Sequence, residues 1–261
     1  MARRIAIGNN KGGAKKSTHT VRLAEALAKA GKVVGVAEMD PQGNASRRLG
    51  YKDDPSKLTV SEAIAANAEG VAAQVWHPIG WQTEYADRIT LLPARHTLED
   101  RALEAGQRGA YRRFAKALHG ADDHLDYLLI DCQPSFGHLT QMALAAAHYA
   151  VASTECEHDC IGGAVKYRDF VADAGIDLAN PDLEFLGIIV GEYDQRVPDQ
   201  RDQVAGVREI FGDAVWGVIP QRAVIAYADG QALPLDQVPR SGPSRAAFEL
   251  LAERLMKEVP A

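Results

Sequence analysis

The sequence predicts an α/β fold: a doubly wound, mostly parallel sheet with helices on both faces. Three observations lead there. Short apolar runs recur along the chain, with helical patterns between most of them. The first run ends in a glycine-rich turn that opens straight into a helix pattern. A later run ends on an aspartate, Asp131. Strands that alternate with helices pair in parallel and are covered on both faces. Ligands of such sheets sit beyond the carboxyl ends of the strands.

The elements follow in order. Residues 4–8 (RIAIG) form the first strand. Residues 17–30 carry Val21, Leu23, Ala24, Leu27 and Ala28, the spacing of an amphipathic helix. Residues 32–37, 88–92 and 126–130 supply the second, third and fourth strands, and 149–154, 185–191 and 215–219 three more. Helices are expected over 98–118, 139–147, 162–174 and 204–211, and a last one over 245–259 closes the domain. Residues 52–84, with Pro55, Trp76, Pro78 and Trp81, read as a surface excursion with a short helix at 60–67. The whole chain, 1–261, is therefore expected to form a single domain. Its informative loops should follow Gly8, Ala37, Ile130, Val190 and Ile219.

Bulk properties set limits. A chain of 261 residues easily builds a large core. Its formal net charge of −6 excludes a blanket polycation, so nucleic-acid binding would need a local patch. There is no run of about 18 apolar residues, the length of a membrane span. The start, MARRIAIGNNKGG, enters a strand at once and has no signal-peptide core, which leads one to expect a cytoplasmic protein. Cys132, Cys156 and Cys160 read as free structural thiols, not as a disulfide framework or cluster ligands.

The strongest motif is NKGGAKKST at residues 10–18. A strand, a glycine-rich turn and a helix opening with Lys-Ser form an anion cradle of inward N–H groups at a positive helix end. Gly12 and Gly13 let the backbone approach phosphate, with Ala14 and Lys15 completing the loop. Lys16 suits the β- and γ-phosphates and the Ser17 hydroxyl suits Mg²⁺. Thr18, next on the helix, can reach the α-phosphate side.

KGGAKKST resembles the deviant Walker A motif, KGGxxK[ST], of the ParA/MinD ATPases. The resemblance implies the P-loop NTPase fold, ATP/ADP and Mg²⁺ as ligands, and a homodimer closed around ATP in which Lys11 contacts the partner's nucleotide. Lys15 departs from the pattern, which nearly always has Gly there. A glycine-only conformation at Lys15 would strain the loop by about 1–3 kcal/mol, whereas an outward side chain would leave the cradle working.

Two acidic loops extend the likeness. Residues 38–46 read EMDPQGNAS, similar to the family's DxDPQGNAS segment. Asp40 matches the aspartate that orients the attacking water and meets Mg²⁺ through water, tasks suited to a carboxylate. Glu38 stands in for the first aspartate, keeping the charge on a longer side chain. Residues 128–135, LLIDCQPS, resemble the Walker B strand and place Asp131 beside the metal. Residues 154–157 resemble the family's VQCE, and 218–220 its VIP, so that Pro220 and Gln221 are adenine-side candidates.

Taken together, the resemblance implies a ParA/Soj-like partitioning ATPase. Its ATP dimer would bind nucleoid DNA without sequence preference through Arg222, Arg240 and Arg245, and a ParB-like partner would stimulate hydrolysis. Lys11, Lys16 and Asp40 would be catalytic, and Ser17, Asp40 and Asp131 would serve the metal. The alternatives are a nucleotide switch whose hydrolysis Lys15 impairs, a MinD-like membrane ATPase, and a cluster-bearing electron carrier. The mixed-charge C-terminal helix speaks against membrane binding.

Overall fold

The computed structural model describes residues 1–261. Its strands are β1 (Arg3–Gly8), β2 (Val34–Met39), β3 (His77–Pro78), β4 (Ile89–Leu92), β5 (Tyr127–Cys132), β6 (Tyr149–Glu155), β7 (Glu184–Tyr193) and β8 (Val215–Pro220). They form one sheet in the order β3-β4-β2-β5-β1-β6-β7-β8. All pairs are parallel except β3 with β4. The doubly wound sheet read from the sequence is the one found, with β3 as an unforeseen antiparallel edge.

The helices are α1 (Lys16–Lys29), α2 (Asn44–Arg48), α3 (Val60–Ala66), α4 (Glu99–Ala102), α5 (Arg113–Leu118), α6 (His138–Ala146), α7 (His158–Asp177), α8 (Pro198–Phe211), α9 (Ala223–Gln231) and α10 (Gly242–Glu258). Alternation along the strands feeds two separate cores. Ile5 and Ile7 of β1, with Tyr127 and Leu129 of β5, pack on one face with Val21, Leu27, Phe248 and Leu255 of α1 and α10. Ala6, Leu128 and Ile130 face the other way, toward Phe114, Leu139, Met142 and Tyr167 of α5, α6 and α7. A parallel strand covered on both faces needs near-continuous apolar character, and β5 is buried at every position.

Local signals explain most helix ends. Thr59 and Glu62 form a capping box at the start of α3. Gly31, with φ +89°, follows the end of α1 in the left-handed conformation that glycine adopts without strain. Pro198 opens α8. The helix expected over 98–118 is corrected: it is broken into α4, α5 and three-residue or four-residue 3₁₀ turns. Gly106 and Gly109 lie inside that stretch, and Gly109 takes φ +74°, which no helix can contain. The short α2 and all of α9 leave no clear helical pattern in the sequence, since α2 is only 5 residues long and α9 is weakly amphipathic.

Register then assembles the site. Ile7 of β1 pairs with Asp131 of β5, and Asp131 in turn pairs with Glu38 of β2. Three loops therefore leave the same edge of the sheet side by side. The base of β1 is anchored by Arg4, whose guanidinium donates to both carboxylate oxygens of Asp122 at 2.6 and 3.0 Å. The two side chains are 7% and 0% exposed. Arg4→Ala would leave Asp122 buried without its partner. We expect urea denaturation to show a loss of about 3–5 kcal/mol; a loss below about 1 kcal/mol would contradict this account of the anchor.

Candidate nucleotide-binding site

The loop between β1 and α1 is a cradle held from beneath. Asn9 is buried, donates through Nδ2 to the carbonyls of Ser153 (2.6 Å) and Cys160 (3.1 Å), and accepts from the Lys11 N–H at 2.9 Å. Its side chain fits because Gly163 has none: a Cβ there would lie 2.4 Å from Asn9 Oδ1. Ser153 supports the loop too, donating its hydroxyl to the carbonyl of Ala14. His19 Nδ1 lies 2.7 Å from that hydroxyl. Complete burial pushes the His19 pKa down to about 3, so the ring is neutral, and with the Ser153 proton committed to Ala14, His19 Nδ1 is the donor.

Lys16 and the acidic residues meet on this edge. Lys16 is buried and donates to the carbonyl of Lys11 at 3.1 Å. Burial lowers its pKa, opposed by the charges of Asp131 and Asp40. Asp131 has no exposed surface. Burial raises its pKa to about 6, opposed by the nearby Ser17 hydroxyl and the charge of Lys16. Thr20 donates to Asp131 Oδ1 at 3.3 Å, while Asp131 Oδ2 has no hydrogen-bond partner. A buried carboxylate oxygen without a partner is costly. Together with the Ser17 hydroxyl alongside, it is the donor set that a hard cation such as Mg²⁺ takes. Asp40 is 7% exposed and accepts from the Gln42 N–H at 3.0 Å.

Glu38 corrects the sequence reading. It does not present a charge to the site. Its carboxylate turns back and accepts from the N–H groups of Ala45 (2.8 Å) and Ser46 (2.9 Å) and from the Ser46 hydroxyl, capping α2. Burial, with Asp131 adding repulsion, lifts its pKa to about 8, against the hydrogen bonds from Ser46 and Ala45.

Lys15 resolves both ways. Its backbone is left-handed, φ 57° and ψ 20°, the glycine-favoured conformation. Its side chain leaves the loop, and Nζ sits 3.2 Å from a carboxylate oxygen of Glu155 and 3.2 Å from one of Glu192. Those residues end β6 and β7, so the P-loop is tied to two strand ends. Glu192 is itself left-handed, φ 56°. Lys11, by contrast, is half-exposed and paired only with the exposed Asp159, at 3.1 Å.

The remaining candidates are spread out. Pro220 and Gln221 border a cleft of about 520 Å³ with Tyr193, Arg196 and Arg222 between the ends of β7 and β8. Gln221 N–H donates to the carbonyl of Tyr193 at 2.8 Å. Arg222 is exposed at that cleft and Arg240 is exposed after β8, whereas Arg245 is half-buried in a narrow gap against Arg22 and Lys29 of α1. A cavity of about 1390 Å³ lies away from these loops, mostly among residues 76–90. The three cysteines are free and buried, and burial raises the pKa of each thiol, that of Cys156 to about 11. Asn9, Thr20, Ser153 and Asp229 were not legible in the sequence as site residues; they act through the backbone or through other side chains.

Comparison with known proteins agrees with this geometry. A family model described as an AAA domain (AAA_31) matches residues 2–185. The chain is 33% identical over 258 residues to the chromosome-partitioning ATPase Soj of Thermus thermophilus, covering 98% of this chain and 96% of that protein. It is 32% identical to the chromosome partitioning protein ParA of Caulobacter vibrioides, covering 97% and 94%. The chain belongs to the ParA/Soj family of P-loop ATPases. Among solved structures, it is similar to Pyrococcus furiosus cell division ATPase MinD (25% identity, TM-score 0.74, 99% and 100% covered). It is also similar to Mycobacterium smegmatis cobyrinic acid a,c-diamide synthase with bound ADP and magnesium (26%, 0.79, 100% and 97%). The likeness to Cyanothece McdA, 18% identical with a TM-score of 0.82, concerns the fold alone. No helix of this family member is long and apolar enough to cross a membrane.

Lys15 gives this family member a testable signature. Lys15→Gly removes a left-handed strain of about 1–2 kcal/mol but also the two half-buried ion pairs, each worth up to about 1 kcal/mol. We expect it to unfold within a few degrees of the unaltered protein and to bind ATP at least as tightly. Lys15→Ala keeps the strain and loses the pairs, so it should be the least stable of the three by thermal melting. Weaker ATP binding by Lys15→Gly would show that Lys15 itself contacts nucleotide.

Proposed function

We propose that this chain is a partitioning ATPase that binds ATP and Mg²⁺ between two copies of itself. The observation that carries the reading is the meeting of Lys16, Ser17 and buried Asp131 at the ends of β1 and β5, with Lys11 held only by a solvent-exposed pair. Such exposed pairs contribute little, so Lys11 is free to leave Asp159 and reach a partner's nucleotide. The similarity to Soj and ParA over nearly the whole length supports the same reading, with residues 1–261 acting as one ATPase domain.

In this reading, Gly12 to Thr18 surround the phosphates with N–H groups and the amino end of α1. Lys16 holds the β- and γ-phosphates. Ser17 and Asp131, with Asp40 through water, would hold Mg²⁺, which when bound neutralises charge on the phosphate oxygens. Asp40 orients the attacking water. Pro220 and Gln221 face the base. The ATP dimer binds DNA through exposed Arg222 and Arg240, Arg245 contributing less because it is half-buried. A ParB-like partner stimulates hydrolysis and releases the dimer, in the cytoplasm and on the nucleoid.

One observation favours a second reading, a nucleotide switch with little turnover. The left-handed Lys15, clamped to Glu155 and Glu192, stiffens the loop that must follow the phosphate during reaction. A MinD-like membrane role gains no support from α10, whose Phe248, Leu251 and Leu255 are buried in the core.

Phosphate release with ATP, Mg²⁺, DNA and the ParB-like partner separates the readings. We expect slow turnover that rises with both additions, and a fall of about 100-fold or more in Asp40→Ala with ATP binding retained. ATP binding without any turnover in the unaltered protein would overturn the hydrolytic reading in favour of the switch.

A further inference from the structure

Asp229 lies on α9, outside every motif described above, yet it receives more hydrogen bonds than any carboxylate in the phosphate site. Thr18 donates its hydroxyl to Asp229 Oδ2 at 2.5 Å. Arg48 Nε donates to the same oxygen at 2.8 Å. Arg22 donates to Oδ1 from Nη2 at 2.8 Å and from Nε at 3.2 Å. The Asp229 side chain is only 11% exposed and that of Arg22 has no exposure at all. Burial pushes the Asp229 carboxyl up, but Arg22, Thr18 and Arg48 more than offset it, so the group is held below the usual carboxylate range.

The network joins three elements of the site, with Thr18 and Arg22 on α1, Arg48 on α2 and Asp229 on α9. Thr18 sits one residue beyond Ser17 at the start of α1. Arg48 ends α2, the helix that begins directly after the Asp40–Gly43 loop. Arg48 also braces that loop's exit by donating to the carbonyl of Asn44 at 3.1 Å. Asp229 itself is on α9, which begins directly after the Pro220–Arg222 segment that borders the cleft. One carboxylate thus joins the phosphate loop, the water-orienting loop and the base-side loop. Short charge-assisted bonds in a buried setting transmit displacement between rigid elements, because no partner can shift without stranding the others.

We propose that Asp229 is a positioning residue that couples the Asp40 loop to the base-side loop, so that the γ-phosphate state felt by α2 is passed through Arg48 and Asp229 to α9. The proposal rests on the reading of the edge as an ATP site, and it needs no DNA and no protein partner. Coupling of this kind is reciprocal and is visible as a change in the ratio of two affinities. A purely architectural carboxylate would change stability and leave that ratio alone.

A reporter is built in. The Trp81 indole N–H donates to the carbonyl of Arg48 at 3.1 Å, and the Arg22 guanidinium stands 5.7 Å from the Trp81 ring centroid. Trp81 therefore touches both arginines of the hub and is 4% exposed.

The test measures the affinities of ADP and of a non-hydrolysable ATP analogue, both with Mg²⁺, by calorimetry. The proteins are the unaltered chain, Asp229→Asn, Arg48→Gln and the double variant. We expect the ratio of the two affinities to change by about fivefold or more in Asp229→Asn and in Arg48→Gln. The double variant should change no further, because the two residues form one link. In a Trp76→Phe/Trp216→Phe background, Trp81 emission should differ between the two nucleotides, and Asp229→Asn should erase the difference. A lowered melting temperature with the affinity ratio unchanged would overturn the proposal and leave Asp229 as a structural brace. Should Asp229→Asn fail to fold, Arg48→Gln carries the same test, since Arg48 is at the margin of the network with 19% of its side chain exposed. Absence of nucleotide binding in the unaltered protein would remove the ATPase reading as well, an outcome distinct from an unchanged ratio.

Discussion

Asp131 lies without exposed surface at the end of the central strand β5, and its burial sets the terms for the residues around it. Taking a carboxylate out of water costs several kcal/mol unless charge and hydrogen bonds offset it. Here the offset is partial. Lys16 supplies an opposing charge, and Ser17 and Thr20 supply hydroxyls, yet one oxygen keeps no partner and the pKa remains raised, to about 6. Parallel pairing makes the arrangement unavoidable, since Ile7 and Glu38 lie on either side of Asp131 and carry the phosphate loop and the Asp40 loop with them. The edge is thus preorganised for a ligand that brings a cation and takes up anionic contacts.

The same edge holds strain elsewhere and offsets it locally. Lys15 and Glu192 are both left-handed, and they meet in one ion triad with Glu155. The lysine that breaks the family's glycine rule is therefore a strut between the phosphate loop and the ends of β6 and β7. Glu38, longer than Asp by one methylene, reaches back to cap α2 and turns its carboxylate toward the N–H groups of Ala45 and Ser46. Asp229 then ties α2 to α1 and α9, so that the three loops of the site are braced from below by buried polar bonds.

Much of the fold was legible because hydrophobic periodicity reports burial directly. The two-sided apolar strands around Ile5, Val36 and Leu129 could only be central strands of a covered sheet. The loop at residues 10–18, Asp40 and Asp131 stood out as candidates because phosphate and metal chemistry calls for particular residue types at strand ends. What stayed hidden depends on contacts between distant segments. The orientation of Glu38 is decided by the free N–H groups of Ala45 and Ser46, and the role of Asn9 by the missing side chain of Gly163. Asp229 could not be found because α9 lies in a stretch with weak periodicity and its partners are about 180 to 210 residues away. The 98–118 helix failed because periodicity alone outweighed Gly106 and Gly109.

In the proposed function, Asp131 serves a metal and not merely the fold. The direct measurement is ATP affinity with Mg²⁺ and with EDTA, for the unaltered protein and Asp131→Asn, alongside urea denaturation of both. Asparagine has nearly the same shape, and Asp40 remains near Lys16, so the variant should still fold. It should also lose about tenfold or more of the Mg²⁺-dependent gain in ATP affinity. A variant that is markedly destabilised yet keeps the full Mg²⁺ dependence would contradict the account.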